Sequence, residues 1–213
     1  MSNELEIAKK TELLSSLPAN TMAQVGDNNM QIASVGTMNN IANYVLPPVK
    51  ANNGTTVSAV AICRDYYNLF VVENEAFTEI VGHFTVPKDL ALTESMTEEL
   101  KTQFSTLQGD AIPRIKTFPS IFASTNRGFG KTDADHMAYY GIELDVERQG
   151  NGIKINYYKL SPVPQQKLNE MVATIGLEYA SSFNELDKTH WAIKQIDLIE
   201  ELRRAGISVL APT

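Results

Sequence analysis

Apolar and polar positions alternate most regularly between residues 140 and 160. Tyr140, Ile142, Leu144 and Val146 alternate with Glu143, Asp145 and Glu147; then Ile153, Ile155 and Tyr157 alternate with Lys154, Asn156 and Tyr158. A period of two marks strands that bury one face. Joining them through Gln149-Gly150-Asn151-Gly152 sets Val146 opposite Ile155, Leu144 opposite Tyr157 and Glu147 opposite Lys154. Both faces then agree in polarity, which specifies the register. Residues 57–63 and 69–72 are apolar almost throughout, as in central strands covered on both sides, with Arg64-Asp65 as the turn between them. A further strand is predicted over 79–86, ended by Pro87, and others over 191–196 and 207–210.

Helical spacing appears in three places. Over 94–107, Met96, Leu100, Phe104 and Leu107 share a face, Ser95 with Glu98 forms a capping box, and Gly109 lies beyond the end. Over 164–175, Leu168, Met171, Val172 and Ile175 follow the i, i+3, i+4, i+7 pattern up to Gly176. Asp197 caps a third helix carrying Leu198, Ile199 and Leu202, with a Glu200–Arg204 pair and Gly206 as its stop. Ser182 and Glu185 predict one more short helical turn. Strands in meanders and hairpins with helices interspersed predict an α+β fold: a mixed, mostly antiparallel sheet (meander plus hairpin) covered by several short helices.

The first 54 residues read differently. A short helix is predicted over 4–17, ended by Pro18. From 18 to 54 the chain carries eight asparagines and only two charges, Asp27 and Lys50. That composition favours turns over packed helix. Two apolar pieces, 30–33 and 41–46, are where such a leader would dock, and Pro47-Pro48 marks entry to the main body. The expected organisation is a leader over 1–54 and one α+β domain over 55–213.

Charge and cysteine content narrow the classes. With 18 basic and 25 acidic residues the chain has a formal charge of −7, which disfavours nonspecific nucleic-acid binding. Cys63 is the only cysteine, so an intrachain disulfide and a cysteine-based zinc site are excluded; its apolar neighbours predict a buried, inert thiol. The N-terminus is acidic where a secretory signal is basic, and no stretch has the length of a membrane span. The expectation is a cytoplasmic protein without a membrane partner.

The chemistry concentrates in residues 124–136, Ser-Thr-Asn-Arg-Gly-Phe-Gly-Lys-Thr-Asp-Ala-Asp-His. Gly130-Lys131-Thr132 matches the tail of a phosphate-binding loop, but Thr125 stands where the first glycine belongs. Arg127, Gly128, Gly130, Lys131 and Thr132 are candidates to bind a phosphate or carboxylate, with Asp133, Asp135 and His136 beside them for proton transfer or metal ligation. A surface loop with Thr132 capping a helical turn fits the same residues. Glu143, Asp145 and Glu147 on one strand face could bind a divalent ion, yet they read more simply as a solvated face opposite Lys154. His83 reads as a half-buried imidazole. Tyr140 and Tyr157 are assigned to packing, while Tyr139 and Tyr158 are candidate partner contacts. No metal site and no cofactor is predicted.

The segment Gly26-Asp27-Asn28-Asn29-Met30-Gln31-Ile32 resembles a short asparagine-rich leader of uncharacterised proteins from bacterial mobile elements and conflict systems. Gly130-Lys131-Thr132-Asp133, Phe183-Asn184-Glu185-Leu186 and Thr189-His190-Trp191 are similar to stretches of such proteins. The resemblance implies a bacterial setting linked to mobile elements or antiviral defence, and no particular activity. Two functions follow as expectations. One is a non-catalytic binding or regulatory module that takes a protein partner or self-associates through the leader. The other is an enzyme acting on a nucleotide or another phosphorylated small molecule through the 124–136 loop.

Overall fold

The middle strands carry no polar alternation because the sheet they form is covered on both faces. The computed structural model describes residues 41–50, 56–180 and 183–210, which belong to the unit Met38–Thr213. The helix expected over 4–17, the resembling segment 26–32 and the docking piece 30–33 lie outside the described residues.

Strands β1 (Ile41–Lys50) and β2 (Thr56–Cys63) pair antiparallel as a separate two-stranded sheet. The boundary expected at 54/55 therefore falls between the two arms of one hairpin, and β2 is not a central strand. The main sheet contains β3 (Tyr67–Val71), β4 (Val81–Pro87), β5 (Ser120–Ala123), β6 (Met137–Arg148), β7 (Gly152–Pro164) and β10 (His190–Lys194). Its strand order is β10-β3-β5-β6-β7-β4, and β3–β5 is the one parallel pair. Short β8 (Glu178–Ala180) and β9 (Phe183–Asn184) pair with each other. The α+β class holds, with a mixed and mostly antiparallel sheet.

Helices α1 (Glu98–Phe104) and α2 (Ala111–Ile115) cover one face, and α3 (Gln165–Glu170) and α4 (Leu198–Arg204) the other. The α1/α2 side is aromatic: Phe70, Phe77, Phe84, Phe122, Tyr157 and Trp191 meet in stacked and edge-on contacts. The other side is aliphatic, with Leu168, Leu198, Ile199 and Leu202 against Leu69, Ile121 and Ile142. Cys63 is buried in the aromatic core, and burial pushes its thiol up, so it is the inert thiol expected.

Several local expectations shift. The N-cap of α1 is Thr97, whose side chain accepts the Leu100 N–H, because Ser95 sits at a φ of 58° and cannot cap. Helix α3 stops at Glu170; turns then carry Met171, Val172 and Ile175 into the aliphatic core up to Gly176. The late helical turn is a 3-10 turn, Glu185–Asp187, capped by Asn184 rather than Ser182. Residues 207–210 form no strand. His83 is exposed, because β4 is a sheet edge that turns its odd-numbered side chains outward.

The β6–β7 hairpin is the most informative difference. Val146 pairs with Ile155 and Glu147 with Lys154, as the alternation requires. Then the register shifts: Asp145 pairs with Asn156 and Glu143 with Tyr157, leaving Leu144 as a bulge residue. One extra residue inverts the faces upstream of it. Glu143 consequently turns into the core at 2% exposure, and the three-carboxylate stripe does not exist. Asp145 pairs with Lys116 at 3.4 Å, and Glu147 accepts from Asn156 at 3.1 Å. Among the described residues no group of His, Cys, Asp or Glu is placed to hold a metal ion, and no helix is long and apolar enough to cross a membrane.

Candidate functional site

Residues 124–136 connect β5 to β6 and fold as a hairpin that is tied to the body. Gly128 and Lys131 exchange backbone hydrogen bonds, each at 3.1 Å, so Phe129 and Gly130 form a two-residue tip. Gly130 has a φ of 65°, which is why glycine stands there. Its N–H donates to both carboxylate oxygens of Asp187 at 2.9 Å. The Thr132 N–H donates to the Gln166 side-chain oxygen at 2.9 Å. Lower down, the Asn126 N–H donates to the Leu186 carbonyl at 2.8 Å.

A polar knot beneath the hairpin fixes these partners. Asp187 also accepts from the Asn126 side-chain amide at 2.8 Å and from the Asn184 N–H at 2.7 Å, the second bond completing the capping box of the 3-10 turn. Asn126 and Asn169 exchange side-chain bonds at 2.9 and 3.0 Å, and Asn184 donates to Asn169 at 2.8 Å. Buried Gln165 donates to the Ser124 carbonyl and to Asn126. Five amide and carboxylate side chains thus form one connected network that holds the loop from below, with only the Gln165 side-chain oxygen left without a partner in it.

The candidate residues group by charge. Arg127 is exposed and pairs with Asp133 at 2.6 Å and Asp135 at 3.6 Å; the Asp133 bond raises the guanidinium above its ordinary value. Thr132 and His136 share a hydrogen bond at 2.5 Å, and burial, then the field of Arg127, lowers the imidazole. Lys131 is exposed and forms no ion pair among the described residues. The N–H groups of Gly128, Gly130, Lys131 and Thr132, which a phosphate would use, all donate to acceptors of the protein itself. An open cleft beside the loop is lined by Thr125, Asn126, Asp187, Lys188, Glu73 and Glu94, with Leu90 and Thr189; Arg127, Lys131, Asp133 and His136 do not line it.

Of the tyrosines assigned to contact, Tyr158 lies in the aliphatic core at 8% exposure, because β7 is covered on both faces. Tyr139 is half-buried, with the Lys159 ammonium 3.9 Å above its ring.

Sequence reasoning missed three features. Phe129, at the hairpin tip, is 80% exposed, the most exposed large apolar side chain among the described residues. Its position between Gly128 and Gly130 was the available signal. Asp187 was missed because its bond to Gly130 spans 57 residues, although Asn184-x-x-Asp187 has the spacing of a cap. The third is a buried cluster in which Glu185 receives His190 Nε2 at 3.0 Å and Lys194 Nζ at 2.5 Å. His190 Nδ1 faces the Lys188 carbonyl at 3.0 Å, and Lys194 donates also to the Ser95 carbonyl at 2.7 Å. Both imidazole nitrogens thus face oxygen atoms of the protein. With all three residues buried, the cluster ties β10 to the 3-10 turn.

No family model matches the chain, and neither a curated protein nor a solved structure matches it.

Proposed function

We propose that this chain is a non-catalytic binding module that recognises a protein partner with the 124–136 hairpin, Phe129 serving as the anchor. The observation that carries this reading is an 80% exposed phenyl ring on a tip that Asp187 and Gln166 hold in one conformation. A single exposed apolar residue is ordinary. A preformed aromatic anchor is less so, since binding then loses little loop entropy and buries a large apolar surface. Arg127, Asp133 and Asp135 around it supply the polar rim that such interfaces have.

The reading as an enzyme for a nucleotide or phosphorylated small molecule gains no comparable support, because the loop amides that would grip phosphate are engaged within the protein. The setting proposed with the binding module is a bacterial cytoplasm, with a link to mobile elements or defence; it rests on the resemblance of residues 26–32. A partner or self-association role for the leader belongs to the same proposal, and deletion of residues 1–54 followed by measurement of oligomeric state tests it.

The central test is a photocrosslinking phenylalanine analogue at position 129 in the native cell. One discrete crosslinked species, absent when the probe replaces exposed Thr93, is expected. No crosslink, or the same products from both positions, removes the anchor from the reading.

A further inference from the structure

The base of the hairpin contains a buried carboxyl, Glu143, with one oxygen unpaired. Glu143 meets Ser120 across the β5–β6 pair, and Ser120 belongs to a polar row on the aromatic face of the sheet. Trp191 donates its indole N–H to Asn68 at 3.2 Å; Asn68 donates to the Ile115 carbonyl at 3.2 Å and to Ser120 Oγ at 3.5 Å. Ser120 Oγ contacts Glu143 Oε1 and also lies 3.4 Å from the Phe118 carbonyl. The second oxygen, Oε2, is buried with no hydrogen-bond partner.

A serine hydroxyl has one proton. If Glu143 is ionised, that proton must serve either the carboxylate or the Phe118 carbonyl, and Oε2 stays a buried, unpaired half-charge. If Glu143 is neutral, its own O–H donates to Ser120 Oγ, the serine proton goes to Phe118, and Oε2 is only an unfilled carbonyl. The second arrangement satisfies every strong group in the row. The charged group nearest in effect is Lys116 on the end of α2, and its ammonium is committed to Asp145. The other facing groups are uncharged: Asn68 from β3, Ser120 from β5, Trp191 from β10 and the phenol of Tyr157 across the ladder on β7. Burial pushes the carboxyl up to about 8, against smaller opposing pulls from Ser120, its own backbone, Asn68 and Lys116.

The pairing that this bond secures is short: Ser120–Gly141, Ile121–Tyr140 and Phe122–Tyr139. It is also tight. A side chain at Gly141 would run into the Phe122 ring of β5 and the Tyr158 carbonyl of β7, so glycine lets β6 lie close to both neighbours. Beyond these pairs, both strands enter the 124–136 hairpin directly.

We propose that Glu143 is a proton-controlled latch: its neutral carboxyl closes the β5–β6 base, and loss of the proton loosens that base and the hairpin above it. The consequence for recognition rests on the hairpin being the binding element; the latch itself does not. An opened base exposes the carboxyl to water, where it ionises in the ordinary range, so opening becomes easier as pH rises toward about 8 and then levels off.

Hydrogen exchange, corrected for the intrinsic pH dependence, tests this on the full chain. Between pH 5.5 and 7.5 the protection of 120–123 and 137–141 is expected to fall at least about tenfold, as a group that ionises only on opening requires. In Glu143→Gln the same segments should hold constant protection, while His136, which also titrates near the loop, is still present. Equal pH dependence in wild type and variant, or none in the wild type, overturns the latch. Isotope-edited infrared spectra of wild type do not depend on the variant folding: a protonated-carboxyl band at pH 6 that disappears by pH 9 is expected, and its absence at pH 6 also overturns the proposal. Failed crosslinking at Phe129 with intact pH-dependent exchange would reject the recognition reading and keep the latch.

Discussion

Glu185 and Glu143 are equally withdrawn from water, at 1% and 2% exposure, and they meet opposite surroundings. Glu185 has a lysine nitrogen and an imidazole nitrogen on its two oxygens, and it joins β10 to a 3-10 turn. Glu143 has a serine on one oxygen and nothing on the other. Burial alone does not determine what an acid does. The donors that burial brings with it do: one carboxyl is paired on both oxygens and the other on one.

Removing the tie should do the most damage. Glu185→Ala leaves Lys194 and His190 buried without their acceptor, and the expected loss is about 3–5 kcal/mol of unfolding free energy in urea titration. A loss near the ordinary ~1 kcal/mol of a point substitution would mean water reaches the cluster and the contrast with Glu143 is false.

The titratable acid should show itself through pH. Its folded value is raised from 4.5 to about 8, so between those limits the unfolded chain has released a proton that the folded chain keeps. Stability contributed by the group is complete below the unfolded value and declines as pH rises. From pH 5 to 7 the wild type should lose about 2–3 kcal/mol relative to Glu143→Gln, at roughly 1.4 kcal/mol per pH unit. Parallel pH profiles of the two proteins would show that the fold does not hold Glu143 neutral.

Asp187 lies between these extremes, half-buried and accepting three N–H groups from three places in the chain. Asp187→Ala should cost about 1–3 kcal/mol and make the 124–136 loop sensitive to limited proteolysis, since buried donors lose their acceptor. Phe129→Ala should be the mildest, within about 0.5 kcal/mol of wild type by thermal unfolding, because the ring touches mainly solvent. A larger loss there would show the ring supporting the fold, and would count against its role as an anchor.

The sequence made some of this legible and concealed the rest for physical reasons. Val146–Ile155 and Glu147–Lys154 were readable because alternation and a glycine-rich turn agree locally. The shift at Leu144 was not, since a leucine continues the apolar period and nothing in the sequence distinguishes a bulge from a regular strand position. Glu143 thus looked solvated. The strand Ser120–Ala123 is only four residues long, and its place between β3 and β6 depends on partners far along the chain. In the loop, the charged and glycine residues suggested an anion site; what distinguishes the structure is Asp187, an internal anion already at the Gly130 amide. Patterns that close within a few residues could be read, such as the Asp197 cap of α4. Contacts that close through tertiary folding could not.

Pairing of β3 with β10 also sets the order in which a growing chain can be completed. Asn68 and Trp191, joined in the finished sheet, are 123 residues apart. At ribosomal rates of about 5–20 residues per second, β3 emerges roughly 6–24 s before the strand that covers its edge. Through that interval Tyr67–Val71, buried throughout in the finished fold, has an open edge. The β6–β7 hairpin, closed by a short turn, can form during the same interval, whereas β3 must wait or be shielded by a chaperone. Cells short of that shielding should accumulate this chain as aggregates before its folded stability becomes relevant.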